Sequence, residues 1–303
     1  MTQRPPPASP RARLAKLGIP SALALAAVLS MLLAGCSQAP QEPDVDITHA
    51  HGIALVGERI YIATHHGLIM GIQAGNSWGW TYASEERFDL MGFTVDDQNT
   101  FYSSGHPSDP RAFGGVNLGL RRSTDGGHLW AQRSLKGQTD FHALTALPGS
   151  GNLAAYWRNA IMESADGGLS WANTSAPATS NVLALAAADD ALWAGAIDGL
   201  YERRNGNWTK LDLPGAVVAL AASRDGQVLW ASQMTQTGGA TWHSSDGGVT
   251  WTKAAGHKIL ETVQAPVLFA IDGADAQHVF ASNAGGLVIE TQEGGQSWSA
   301  TRA

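Results

Sequence analysis

The sequence predicts an all-β protein, a six-bladed β-propeller of four-stranded antiparallel blades. Three observations predict it. A glycine-rich turn carrying a fixed aspartate and a fixed tryptophan recurs along the chain. Apolar columns repeat in phase with that turn. The composition also fits, with 35 glycines, 11 tryptophans and only 15% charged residues in 303, the pattern of short strands joined by tight turns.

The turn is the clearest element. Ser123-Thr124-Asp125-Gly126-Gly127-His128-Leu129-Trp130 returns as Ser164-Ala165-Asp166-Gly167-Gly168-Leu169-Ser170-Trp171 and again as Ser244-Ser245-Asp246-Gly247-Gly248-Val249-Thr250-Trp251. Thr291-Gln292-Glu293-Gly294-Gly295-Gln296-Ser297-Trp298 is a diverged copy, and Gly75-Asn76-Ser77-Trp78 and Asn205-Gly206-Asn207-Trp208 are shorter remnants. In each full copy the aspartate (Asp125, Asp166, Asp246) can accept hydrogen bonds from its own turn. The second glycine (Gly127, Gly168, Gly248) permits positive φ. The tryptophan (Trp130, Trp171, Trp251) opens the next strand and can pack between neighbouring sheets. Calcium is a poor fit, because one carboxylate per turn is too few for the six or more oxygens that ion takes.

Strands are read from columns in phase with the turn. Each unit opens on an apolar stretch, such as Gly52-Ile53-Ala54-Leu55 or Val182-Leu183-Ala184-Leu185. A second apolar run ending in small residues follows, as in Ile60-Tyr61-Ile62-Ala63 and Leu192-Trp193-Ala194-Gly195. A short strand such as Gly67-Leu68 or Gly199-Leu200 leads into the turn, and the tryptophan begins the fourth strand. Six such units between His49 and Ala303 average about 42 residues, the length of a propeller blade. Stacked β-helix rungs are the rival architecture, and a seventh unit is not found. How the ring closes is left open.

The N-terminus reads as a targeting segment. Arg4, Arg11, Arg13 and Lys16 form a basic leader, and residues 17–33 are largely apolar, ending in Leu33-Ala34-Gly35-Cys36. Small residues before a cysteine resemble the lipobox of bacterial lipoproteins. The resemblance implies a signal peptide over residues 1–35, cleavage before Cys36 and acylation of that cysteine, which would anchor the protein to a membrane at roughly 0.8 kcal/mol per buried CH₂. Residues 36–48 then form the lipidated cysteine and a Pro- and Gln-rich tether, and residues 49–303 a single propeller domain. The expected location is outside the cytoplasm, at the cell surface or in the periplasm. Cys36 is the only cysteine, so the domain has no internal disulfide and no thiolate metal site.

The histidines are concentrated. Of ten in the chain, six fall where propeller topology places one face: His49 and His51 lead into the first strand of unit one, and His65 and His66 lie between its second and third strands. His106 follows the second strand of unit two, and His142 leads into unit three. Met91 leads into unit two. His128, His243, His257 and His278 read as peripheral. Clustered imidazoles beside a carboxylate are metal-ligand chemistry, suiting copper or zinc, and a thioether from Met91 favours copper. Asp140 lies next to His142 and is either a ligand, a partner orienting that ring, or a weak catalytic candidate. A non-metal polar ligand site and a purely structural role are the alternatives. The loop from His106 to Asn117, with Pro107-Ser108-Asp109-Pro110 and Gly114-Gly115, is irregular and could cover the opening.

The S-x-D-x-G-x-x-W turns resemble the Asp-box, or BNR repeat, of sialidases and related glycosyl hydrolase propellers. That resemblance covers most of the mature chain and implies the fold. It also implies, as an alternative function, exo-α-sialidase-like hydrolysis of extracellular glycans. The sialidase pattern of three arginines is not evident here: Arg59 falls on the wrong face, and Arg111 and Arg158 have no third partner. Another glycoside hydrolase needs two facing carboxylates, for which Asp89, Asp109, Asp140, Asp198 and Glu261 are candidates. The repeat also resembles that of photosystem II assembly-factor propellers, which implies a non-catalytic protein-binding scaffold. A glycan or a protein at the propeller mouth is thus a possible partner. Nucleic acid is excluded, because a net charge of -7 opposes phosphate binding.

Overall fold

The computed structural model describes residues 1–2, 45–149, 151–179, 181–213, 215–235, 238–261 and 266–302. The leader, Cys36 and the tether up to residue 44 lie outside the described residues. The propeller belongs to a compact unit, Glu42–Ala303.

Six four-stranded antiparallel sheets form the six blades, each from four consecutive strands. Blade one comprises β1 (Ala50–Val56), β2 (Arg59–Thr64), β3 (Gly67–Ala74) and β4 (Ser77–Tyr82). Blade two has β5 (Phe88–Val95), β6 (Phe101–Pro107), β7 (Leu120–Ser123) and β8 (Ala131–Ser134). Blade three has β9 (Leu144–Ala146), β10 (Leu153–Trp157), β11 (Ala160–Ser164) and β12 (Ala172–Thr174). Blade four has β13 (Val182–Ala188), β14 (Ala191–Ala196), β15 (Gly199–Arg204) and β16 (Asn207–Leu211). Blade five has β17 (Ala216–Ala222), β18 (Leu229–Thr235), β19 (Gly238–Ser244) and β20 (Thr252–Lys253). Blade six has β21 (Val267–Ile271), β22 (Val279–Asn283), β23 (Val288–Thr291) and β24 (Ser299–Arg302).

The core lies between blades. Tyr61 and Leu68 of blade one pack on Phe88, Phe93, Phe101 and Trp130 of blade two. Equivalent clusters fill the other seams. The second strands are the most buried, β14 along its whole length. The first strands are only half-buried because they line a central channel: a cavity of about 400 Å³ opens between β1, β5, β9, β13, β17 and β21 on the face of the first-to-second-strand turns.

The recurrent turns bind themselves and the blade before them. Ser164 Oγ accepts from Gly168 N at 2.8 Å and donates to Asp166, whose carboxylate accepts from the backbone of Leu169 and Ser170. The same bonds recur at Ser123–Asp125 and Ser244–Asp246. In the diverged copy Thr291 Oγ1 accepts from Gly295 N and Glu293 accepts from Ser297, so Thr and Glu replace Ser and Asp without loss of the turn. Outward links follow: Arg133 of blade two donates to Gly167 O and Asp166 O of blade three.

The ring closes by packing rather than by strand exchange. Val45 and Ile47, ahead of β1, are buried with Ile60, Ile62 and Trp80 of blade one and Phe280 and Val288 of blade six. Arg302 donates to Val45 O at 3.0 Å, and His49 N donates to Ala284 O at 2.9 Å.

Candidate metal centre

The site begins with a repeated backbone irregularity. The pairing of β1 with β2 slips between Ala50 and Gly52, that of β5 with β6 between Leu90 and Gly92, that of β13 with β14 between Val182 and Ala184, and that of β17 with β18 between Val217 and Ala219. A bulge of this kind inserts an unpaired residue and re-aims its side chain. The unpaired residues are His51, Met91, Leu183 and Val218. His51, Leu183 and Val218, with His142 and Leu268 at the matching points of blades three and six, line a cavity of about 110 Å³ at the mouth of the axis. Blades four to six give this rim aliphatic residues, and blades one and three give it the imidazoles of His51 and His142.

Blade one supplies a stack of rings. His65, in the turn after β2, lies face to face with His51 at 4.5 Å between centroids and with His49 at 4.8 Å. His49 holds a left-handed backbone, φ 57°, a conformation costing a non-glycine residue roughly 1–2 kcal/mol. Its N–H bond to Ala284 keeps it there, so ring closure also positions the stack.

Blade two adds His106 and Asp89, which pair directly across β5 and β6. His106 lies within β6 and not in a turn, because the strand continues to Pro107 before the loop begins. The loop contains a helical turn, Pro110–Phe113, capped by Asp109. It returns to place Val116 O 2.9 Å from His106 Nδ1. A carbonyl only accepts, so Nδ1 carries the proton. Nε2 then faces Asp140 Oδ2 at 3.2 Å, a contact that needs either a second ring proton or a cation.

Asp140 and His142 flank Phe141, whose buried ring packs against Trp157 and Trp171. Phe141 N donates to Ser104 Oγ at 2.9 Å, tying this segment to β6. Asp140 is buried, at 8% exposure. Its Oδ2 lies 2.8 Å from His142 Nε2. His65 Nε2 stands 3.8 Å from Asp89 Oδ1.

Two sets of three donors result, His51–His65–Asp89 and His106–Asp140–His142, with the ligand atoms of each set within 4.8 Å of one another. These His/Asp clusters can chelate a metal ion. The electrostatics match that use. Burial, then the nearby His65, His142 and His49, lower His51 to about 4, so its imidazole is neutral and available as a ligand at neutral pH. Burial raises Asp89 above the usual carboxylate range. The hydrogen bond to Asp140 raises His142. His51 Nε2, Asp89 Oδ1 and Asp140 Oδ1 are buried without a hydrogen-bond partner.

The remaining sequence candidates are placed differently. His66 is paired with Asp46 at 3.3 Å, both half-exposed, and belongs to neither set. Met91 occupies the β5 bulge but is not among the residues that line the cavity at the mouth. Asp198 is engaged by Thr179, Tyr201 and Lys210, Glu261 by Gly256 N, and Asp109 by its helical turn. Of the five candidate carboxylates, Asp89 and Asp140 are the two in the clusters. Arg158 lies over the Trp157 ring. Among the peripheral histidines, His278 bridges Asp272 and Glu290, and His243 stacks on Trp230. Sequence reasoning did not name Asp89 as a ligand, although it lies two residues before Met91 on the same strand, and it missed Asp46 altogether.

Solved structures share the fold. The GH74 enzyme of Niastella koreensis superposes with a TM-score of 0.61 at 15% identity, over 84% of this chain and 45% of that one. An ancestral GH74 enzyme gives 0.54 at 17% identity, over 80% of this chain and 36% of that one. This chain therefore spans less than half the length of either. YCF48 from Cyanidioschyzon merolae covers 82% of this chain at 15% identity with a TM-score of 0.49. No protein-family model and no curated protein sequence matches the chain.

Proposed function

We propose that the chain is an exported, lipid-anchored propeller that binds a transition metal, copper or zinc, at the mouth of its axis. One observation carries the reading: His51 Nε2, Asp89 Oδ1 and Asp140 Oδ1 are buried and unpartnered within the two donor sets. Leaving such atoms unpaired costs about 1–3 kcal/mol each, more for a charged group, and a cation held by either set satisfies the atoms that set contributes. The mixed imidazole and carboxylate donors suit Zn²⁺ or Cu²⁺, whereas Cu⁺ favours sulfur. Anchoring through acylated Cys36 is the second part of the proposal and rests on the Leu33-Ala34-Gly35-Cys36 pattern.

Elemental analysis of the purified protein tests the metal. Stoichiometric copper or zinc is expected, reduced in His51→Ala and in His142→Ala. Metal-free protein that takes up neither ion on addition would end the reading. Cell fractionation tests the anchor: Cys36→Ser is expected to leave the membrane fraction.

Glycoside hydrolysis is the second reading. It is favoured by the placing of Asp89 and Asp140 in the clusters at the mouth and by the fold shared with GH74 enzymes. It requires sugar release from a glycan panel that stops in Asp140→Asn.

A further inference from the structure

The donors at the mouth are not one set but two, and their spacing bears on how many ions they hold. A first-row ion binds imidazole nitrogen and carboxylate oxygen at about 2.0–2.2 Å, so donors sharing an ion sit within about 4 Å of one another. Each set is near that limit, with all ligand atoms within 4.8 Å, and the two sets have no member in common. Each is also complete as a chelate: two imidazoles and one carboxylate, a combination that holds one ion and leaves coordination positions open.

The two sets nevertheless face each other. His51 of the first set and His142 of the second line the same cavity at the mouth of the axis. Backbone pairing joins them too, since Asp89 and His106 are register partners of β5 and β6 yet belong to different sets. Asp140 connects them most directly. Its Oδ2 is addressed by His106 and His142, while its Oδ1 is buried with no partner. One oxygen committed and one buried and free is the disposition of a carboxylate able to span two cations.

We infer that the mouth is a paired site for two divalent first-row cations, His51–His65–Asp89 holding one and His106–Asp140–His142 the other, with Asp140 placed to bridge them. This rests on the metal-binding reading above and extends it from one ion to two. Each ion would keep open positions toward the axial cavity, flanked on its far side by Leu183, Val218 and Leu268.

The test is stoichiometry. The full-length protein, stripped with a chelator and dialysed, is titrated with Co²⁺ and followed by its visible absorption, and with Zn²⁺ followed by calorimetry. Two equivalents per chain are expected. His65→Ala and His106→Ala should each bind one equivalent, with unfolding temperatures confirming that both variants are folded. One equivalent in the unmodified protein, or loss of all binding in both single variants, overturns the paired site while leaving metal binding itself standing. No uptake of either ion overturns both.

Discussion

Gly92 has no side chain because Phe141 leaves no room for one. A Cβ there would lie 2.1 Å from Phe141 O, and the 140–142 segment could not lie against β5. Asp140 and His142 reach the mouth only through that approach. Gly92→Ala is therefore expected to cost about 1–3 kcal/mol by overpacking and to lower metal uptake, as seen in thermal unfolding and in metal equivalents per chain. A destabilised variant that still loads fully would separate the site from this contact. Several residues of the site were legible in the sequence because histidine is scarce and its clustering conspicuous. Asp46 was not, and Asp89 stood out among 26 acidic residues only as one of five candidate hydrolase carboxylates, not as a ligand. What distinguishes Asp89 is its pairing with His106 across two strands, and that pairing exists only after folding.

At the scale of elements, the turns depend on ionised aspartates. Hydrogen bonds from Thr250, side chain first and then backbone, lower Asp246 to about 2. The Ser170 side chain and backbone push Asp166 further down. A carboxyl depressed by folding contributes stability above its ordinary value of 3.8 and loses it as the pH falls through the folded value. The turns should accordingly weaken between about pH 3.8 and 2. Asp246→Asn should flatten that limb of a stability curve measured by denaturant unfolding, and an unchanged slope would show that its ionisation does not matter. The turns were readable because their chemistry is local: serine, aspartate and two glycines meet within five positions. The end of β6 was less so. Gly105-His106-Pro107 reads as a turn, yet the strand runs through it, because the missing Cβ of Gly105 admits Asp89 O, which would lie 2.0 Å from one.

Across the whole molecule, the least obvious feature is the seam. Blade six is complete in itself, and among the described residues no strand pairing locks it to blade one. Ile47, at 2% exposure, fills that seam from outside either sheet. Ile47→Ala is expected to cost about 2–5 kcal/mol, visible as a lower unfolding temperature, and to loosen His49, which the same segment delivers to the imidazole stack. An unchanged unfolding temperature would mean the seam is held elsewhere.

The sequence by itself determined the repeat and the number of blades. Those follow from local periodicity, since a turn motif and an alternating strand carry their own signals. Tertiary structure alone decided which donors meet: that His66 goes to Asp46, that Asp89 joins His51 and His65, and that Asp140 stands between His106 and His142. Bulges and close glycine contacts aim those side chains by shifts of a few ångströms, and periodicity, which gives positions along a chain, is blind to displacements between strands.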